Sequence, residues 1–176
     1  YDEGQGRYMA IGEFWDENIS AQSYAPELKA WLDRTYPGLP IGGAWGDPAG
    51  RSGEQATEQT PIRVMNDHGI PVYSAPSNSP LLRRGAISGP LRRNCFDGHP
   101  ALLISPACKQ LRKGLMGGFC YRRMHLAGEY YTEQPDKNEY SHIVESLEYV
   151  LLGMGESTAP RPTQYDASEQ QEYAVA

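Results

Sequence analysis

Asp47 follows a short apolar run, Ile41-Gly42-Gly43-Ala44-Trp45-Gly46, and is followed at once by Pro48, Ala49 and Gly50. Proline has no amide proton to give a sheet ladder, so the run reads as a short buried strand that ends in a carboxylate. An acid at a strand end, on a sharp turn, points into the crevice beyond the sheet edge, a position that hosts metal ligands in α/β folds. The plainer reading is an Asx turn before proline. A second candidate acid lies far downstream on SHIVESLEYVLL, Ser141 to about Leu152. There Val144, Leu147, Val150 and Leu151 make a helical apolar stripe, and Glu145 and Glu148 share the other face. For Glu145 the plainer reading is a solvated helix residue. Two carboxylates from separate elements suit a metal-dependent phosphodiesterase. Mg2+ or Mn2+ takes oxygen ligands and keeps several waters, so two or three acids hold a pair of ions astride the scissile phosphate.

Charge is segregated along the chain. The net charge is -6, yet between Arg83 and Arg123 stand Arg83, Arg84, Arg92, Arg93, Lys109, Arg112, Lys113, Arg122 and Arg123 against the single acid Asp97. This middle third is the candidate polyanion surface, with double-stranded DNA as the expected ligand. The alternatives are ordinary solvated faces or an acidic protein partner.

The elements that position these groups alternate between strand and helix, the pattern of an α/β sheet. Tyr8 to Trp15 reads as a strand, the second arm of a hairpin whose first arm would precede Tyr1; the absence of an initiator methionine leads to the expectation of a fragment. A helix from Ser20 or Ser23 carries Leu28, Trp31 and Leu32 on one face and stops at Tyr36-Pro37-Gly38. Thr60-Pro61 opens a short helix that Gly69 ends, and Ile70 to Tyr73 is a strand. Ser79-Pro80 caps LLRRGAISGPLRR, with Leu82, Ala86 and Ile87 inward and the arginines snorkelling outward. Ala101 to Ile104 is an apolar strand, Pro106 to Leu115 a basic helix, and Phe119 to Met124 an edge strand or hairpin arm. Residues 1–153 are thus expected to form one domain, and 154–176, polar and aperiodic, a disordered tail.

Several classes are excluded or unsupported. An apolar content of 39% and a mean hydropathy of -0.60, with no run near a membrane span and no signal peptide, lead to the expectation of a cytosolic protein. Cys95, Cys108 and Cys120 read as reduced thiols. No G-x-x-x-x-G-K-[ST] loop is present, so P-loop ATP hydrolysis is excluded. His68, His99, His125 and His142 show no zinc spacing, and no serine sits in a G-x-S-x-G elbow.

GDPAG with a TP-initiated helix ten residues on, HGIPVYSAPSNSPLLRRGAISGPLRR, PALLISPACKQLRKGLMGGFCYRR and PDKNEYSHIVESLEY, in this order, resemble the C-terminal nuclease domain of a tailed-phage terminase large subunit, from about Tyr8 to Leu152. The segment Lys137-Asn138, Ser141-His142, an acid at 145 and Leu147 is similar to the family pattern K-N-x-x-S-H-x-x-D-A-L. The resemblance implies an RNase H-like mixed sheet flanked by helices and a two-metal endonuclease, using Mg2+ or Mn2+, that cuts concatemeric double-stranded DNA during genome packaging. It also implies Asp47 and Glu145 as metal-binding acids, His142 and Lys137 as accessory groups near the phosphate, and the basic stretch as the DNA track. The expected partners are an N-terminal ATPase domain, the portal protein and the small terminase subunit, with no membrane. The expected location is the host cytoplasm, transiently at the procapsid portal. Two departures stand out: the family's first metal-binding aspartate would lie upstream of Tyr1, and position 145 is Glu where Asp is usual. Glu13 is the one upstream acid placed to lie nearby, an edge or structural role being its other reading. The competing readings are a non-catalytic DNA-binding or motor-docking module of the same protein, and another RNase H-like nuclease of the resolvase or transposase kind.

Overall fold

Strands are short here because glycine and proline bracket each apolar run. The computed structural model describes residues 1–51, 60–124, 130–135 and 137–156. In them β1 (Tyr8–Ala10), α1 (Ala21–Thr35) and β2 (Ala44–Gly46) lead through a 3-10 turn (Pro48–Arg51) to α2 (Pro61–Asp67), β3 (Val72–Ser74) and α3 (Pro80–Arg92). β4 (Leu102–Ile104) and α4 (Lys109–Lys113) follow, then a π turn (Gly114–Gly118), β5 (Tyr121–Met124), β6 (Tyr130–Pro135) and α5 (Ser141–Gly153). The fold is mixed α/β, with small parallel sheets. β1 pairs with β4 in parallel, Tyr8 opposite Leu102, and β2 pairs with β3 in parallel, Ala44 opposite Val72. β5 and β6 form an antiparallel hairpin.

Two caps match their sequence signals. Ser20 accepts from Ser23 N at 3.3 Å, which fixes the start of α1 and leaves Pro26 inside the helix, and Thr60 accepts from Arg63 N at 3.2 Å ahead of Pro61. The first strand differs from expectation. It stops at Ala10, and its partner among the described residues is the downstream β4 rather than a hairpin arm. Beyond it the chain turns to pack Phe14 against Tyr24 and Trp31, at ring-centre distances of 5.3 and 5.6 Å, and a Cβ at position 12 would overlap the Tyr36 hydroxyl. The basic helix is also shorter than expected and begins at Lys109. Its first free amides, Gln110 N and Leu111 N, donate to the Glu13 carboxylate at 2.9 Å each. Glu13 therefore acts as a cap supplied from another segment.

α5 is the central element. Leu151 and Leu152 pack with Tyr8, Leu102, Ala86 and Ile87, while Val144 packs with Cys108 and Leu111. The second face of α5 is covered too, so Glu145 and Glu148 are buried at 8% and 3% exposure. The reading of Glu145 as a solvated residue is thereby corrected: α3 lies against this face and brings Arg83 to it. The chain stays packed past residue 153. Glu156 is buried and accepts from Arg93 through both oxygens, at 2.9 and 2.6 Å.

Candidate functional site

Parallel pairing holds the end of β2, and Ala75 N donates to Gly46 O at 2.9 Å just before Asp47. Asp47 Oδ1 accepts from Ala49 N at 2.9 Å, so the Asx turn expected before Pro48 is present and the side chain stands exposed at the strand end. Trp45 registers β2 against α5. Its indole lies on Gly153, where any Cβ would overlap the ring.

Tyr149, buried on α5, meets Asn78 and Arg83 at the start of α3. Its hydroxyl donates to Asn78 Oδ1 at 2.6 Å. Its pKa is pushed up, chiefly by burial; Arg83 opposes this, and the charges of Asp47 and Glu145 both add to it. Residues remote in sequence thus act on one phenol. One helical turn earlier, Glu145 accepts from Lys137 Nζ at 2.5 Å on both oxygens and from Arg83 Nη2 at 3.4 Å. Arg83 reaches Glu148 at 3.6 Å and stacks over the Tyr149 ring at 4.9 Å. Burial, with Glu145 adding and Arg83 opposing, pushes the Glu148 carboxyl up from 4.5 to about 7. Arg83 is thus the buried hub of the cluster, and its Nε has no hydrogen-bond partner.

A cleft of about 910 Å³ opens beside this cluster, and Asp16, Trp45, Asp47, Lys137 and His142 line it. Glu145 does not line it, for the Lys137 ammonium sits on its carboxylate and itself borders the opening. His142 is exposed in the first turn of α5. No family model, curated protein or solved structure matches this chain.

Carboxylate oxygens suit a hard cation in kind, but the arrangement as folded does not make a metal centre. Both oxygens of Glu145 are taken by an ammonium, and among the described residues no group of three His, Cys, Asp or Glu side chains could hold an ion.

The basic residues divide. Arg92, Lys109, Arg112 and Lys113 are exposed; Arg84 is half-buried, with its guanidinium 5.0 Å from the Tyr121 ring centre. Arg83 is 7% exposed and faces inward, not outward as its helix pattern suggested. Arg93 is held by Glu156. The backbones of Arg122 and Arg123 lie on β5, while their side chains, like residue His125 and the segment 157–176, fall outside the described residues. Among the described residues no helix is long and apolar enough to cross a membrane.

Sequence reasoning missed Tyr149, Glu148, Asn78 and the inward role of Arg83. One signal was available: Tyr149 follows Glu145 by four residues, so the two must share a helix face.

Proposed function

We propose that this chain is an RNase H-like nuclease domain of the terminase large subunit type, which engages double-stranded DNA at the cleft bordered by Asp47, Lys137 and His142. The observation that supports this reading is that Asp47, Lys137 and His142, from the two segments that bear the family-like motifs, line one cleft. Lys137 and His142 at the cleft wall supply hydrogen-bond donors for a phosphate, and Asp47 supplies an exposed acceptor. The exposed cations of α4, with Arg92, extend the surface for backbone contacts that do not depend on base sequence. On this reading the partners are an ATPase domain, the portal protein and the small terminase subunit, the metal is Mg2+ or Mn2+, and the place of action is the procapsid portal in the host cytoplasm. The test is nicking or linearising of supercoiled plasmid by the full chain in Mn2+. Asp47→Ala should abolish it, and activity untouched by that substitution would remove the site assignment.

A second reading, a non-catalytic DNA-binding or motor-docking module, is favoured by one observation: Glu145 is already neutralised by Lys137 and Arg83. It expects DNA binding that weakens steeply with salt and survives Asp47→Ala, without cleavage in any metal.

A further inference from the structure

α4 and the turn after it carry charge on one side and anchorage on the other. Cys108, Leu111 and Gly114 are buried, while Lys109, Arg112, Lys113 and Met116, at the three- and four-residue spacing of one helical side, are all exposed. Among the described residues none of the three cations is ion-paired. Met116 is 83% exposed, yet its turn is firmly held. Phe119 N closes the turn on Gly114 O at 2.9 Å, Asn138 Nδ2 donates to Gly118 O at 2.7 Å, Gly117 takes a φ of 121°, and a Cβ at position 118 would overlap the Tyr140 ring. The start of the helix is equally fixed, by the Glu13 carboxylate. π turns of this kind concentrate at functional sites. Asn138 also lines the cleft, so Met116 is presented from a turn bonded to the cleft wall.

One apolar side chain beyond three cations suits one class of partner. A bilayer surface calls for a broad apolar helix face, and a protein interface for an apolar core within roughly 800 Å² per partner; a lone thioether supplies neither. Duplex DNA matches both halves, with phosphates outside and apolar base faces within. Its minor groove, about 6 Å wide, is too narrow for a helix of about 10 Å but admits an unbranched side chain. Resting on the double-stranded DNA reading above, we propose that α4 and its turn form a DNA-bending wedge: Lys109, Arg112 and Lys113 grip phosphates at the rim of the minor groove, and Met116 enters it and opens a base step beside the cleft. Methionine is among the side chains that unstack a step and kink a duplex in this way, and flexible steps such as TA cost least to open.

The test uses the full chain without divalent metal and a duplex of about 30 base pairs, with 2-aminopurine at a central TA step and a dye pair at its ends. The parent should raise the 2-aminopurine emission and bring the ends together. Met116→Ala should lose most of both signals and bind about tenfold more weakly, with the slope of log affinity against log salt unchanged, because no phosphate contact is removed. Met116→Leu, still an apolar wedge, should behave as the parent. Equal signals from parent and Met116→Ala, or binding by the parent with neither signal, overturn the wedge and leave the DNA reading standing. Absence of duplex binding removes the DNA reading and the wedge together, and capture on phosphatidylserine vesicles or on polyglutamate in its place assigns this face to a membrane or to an acidic protein. Plasmid cleavage in Mn2+ is scored separately: bending without cleavage refutes the nuclease reading and keeps the wedge, whereas cleavage without bending does the reverse.

Discussion

Replacing Glu148 by glutamine should flatten the dependence of stability on pH. In the folded protein this carboxyl is pushed from 4.5 to about 7, chiefly by burial, with its side chain 4% exposed. Between those two values the folded state keeps the proton that the unfolded chain has already released. The folded state therefore binds more protons, and stability must fall as pH rises through the window and level off above it. At 1.36 kcal/mol per pH unit the interval corresponds to about 3 kcal/mol. Glutamine keeps the shape, cannot ionise, and leaves Arg83 to Glu145. The attraction of Arg83 at 3.6 Å is already contained in that shift, so a gain of about 3 kcal/mol at pH 8 is expected, shrinking towards zero at pH 5. Urea unfolding followed by tryptophan fluorescence at pH 5, 6, 7 and 8 measures it. Parallel curves for parent and variant across that range would refute the reasoning, because they would mean that Glu148 titrates alike in both states.

Arg83→Met removes the ion-pair partner that Glu148 shares with Glu145 and leaves Glu145 to Lys137, and should cost about 3 to 5 kcal/mol in denaturant unfolding at pH 7, part of it recovered when Glu148→Gln is added. Gly153→Ala drives a methyl into the Trp45 indole, so a loss of about 1 to 3 kcal/mol and a shifted tryptophan emission are expected; an unchanged spectrum would deny the β2–α5 contact. Glu13→Ala removes the acceptor of two α4 amides and should lower stability by about 1 kcal/mol, with Gln at that position restoring part of it. Arg112→Ala with Lys113→Ala should cut the slope of log affinity for DNA against log salt by about 2 if both touch phosphate. An unaltered slope would take these two residues off the DNA surface.

How much of this was legible in the sequence varies with the range of the interactions involved. Local steric rules fixed the end of β2 at Pro48, the Asx turn of Asp47, the cap at Thr60-Pro61, the apolar strand β4 and the stripe of α5. Each depends on residues a few positions apart, and proline, glycine and hydroxyl groups act through the backbone they sit on. Arg83 was misread for the opposite reason. An arginine in an amphipathic helix looks solvent-facing until the helix packed against it is known, and here that helix presents Glu145, Glu148 and a tyrosine ring. The end of β1 at Ala10 was likewise hidden, because it is set by rings of α1 and by Tyr36 packing over Gly12.

The sequence alone determined the alternation of short strands and helices, the strand-end carboxylate and the basic middle third, since these follow from side-chain size, backbone freedom and charge at neighbouring positions. Only the tertiary structure decided that Asp47, Lys137 and His142 line one cleft, that Lys137 rather than solvent covers Glu145, and which arginines remain at the surface. Burial and charge pairing arise between segments that one chain brings together only when its apolar surfaces close, and no spacing along the chain records which groups will then face each other.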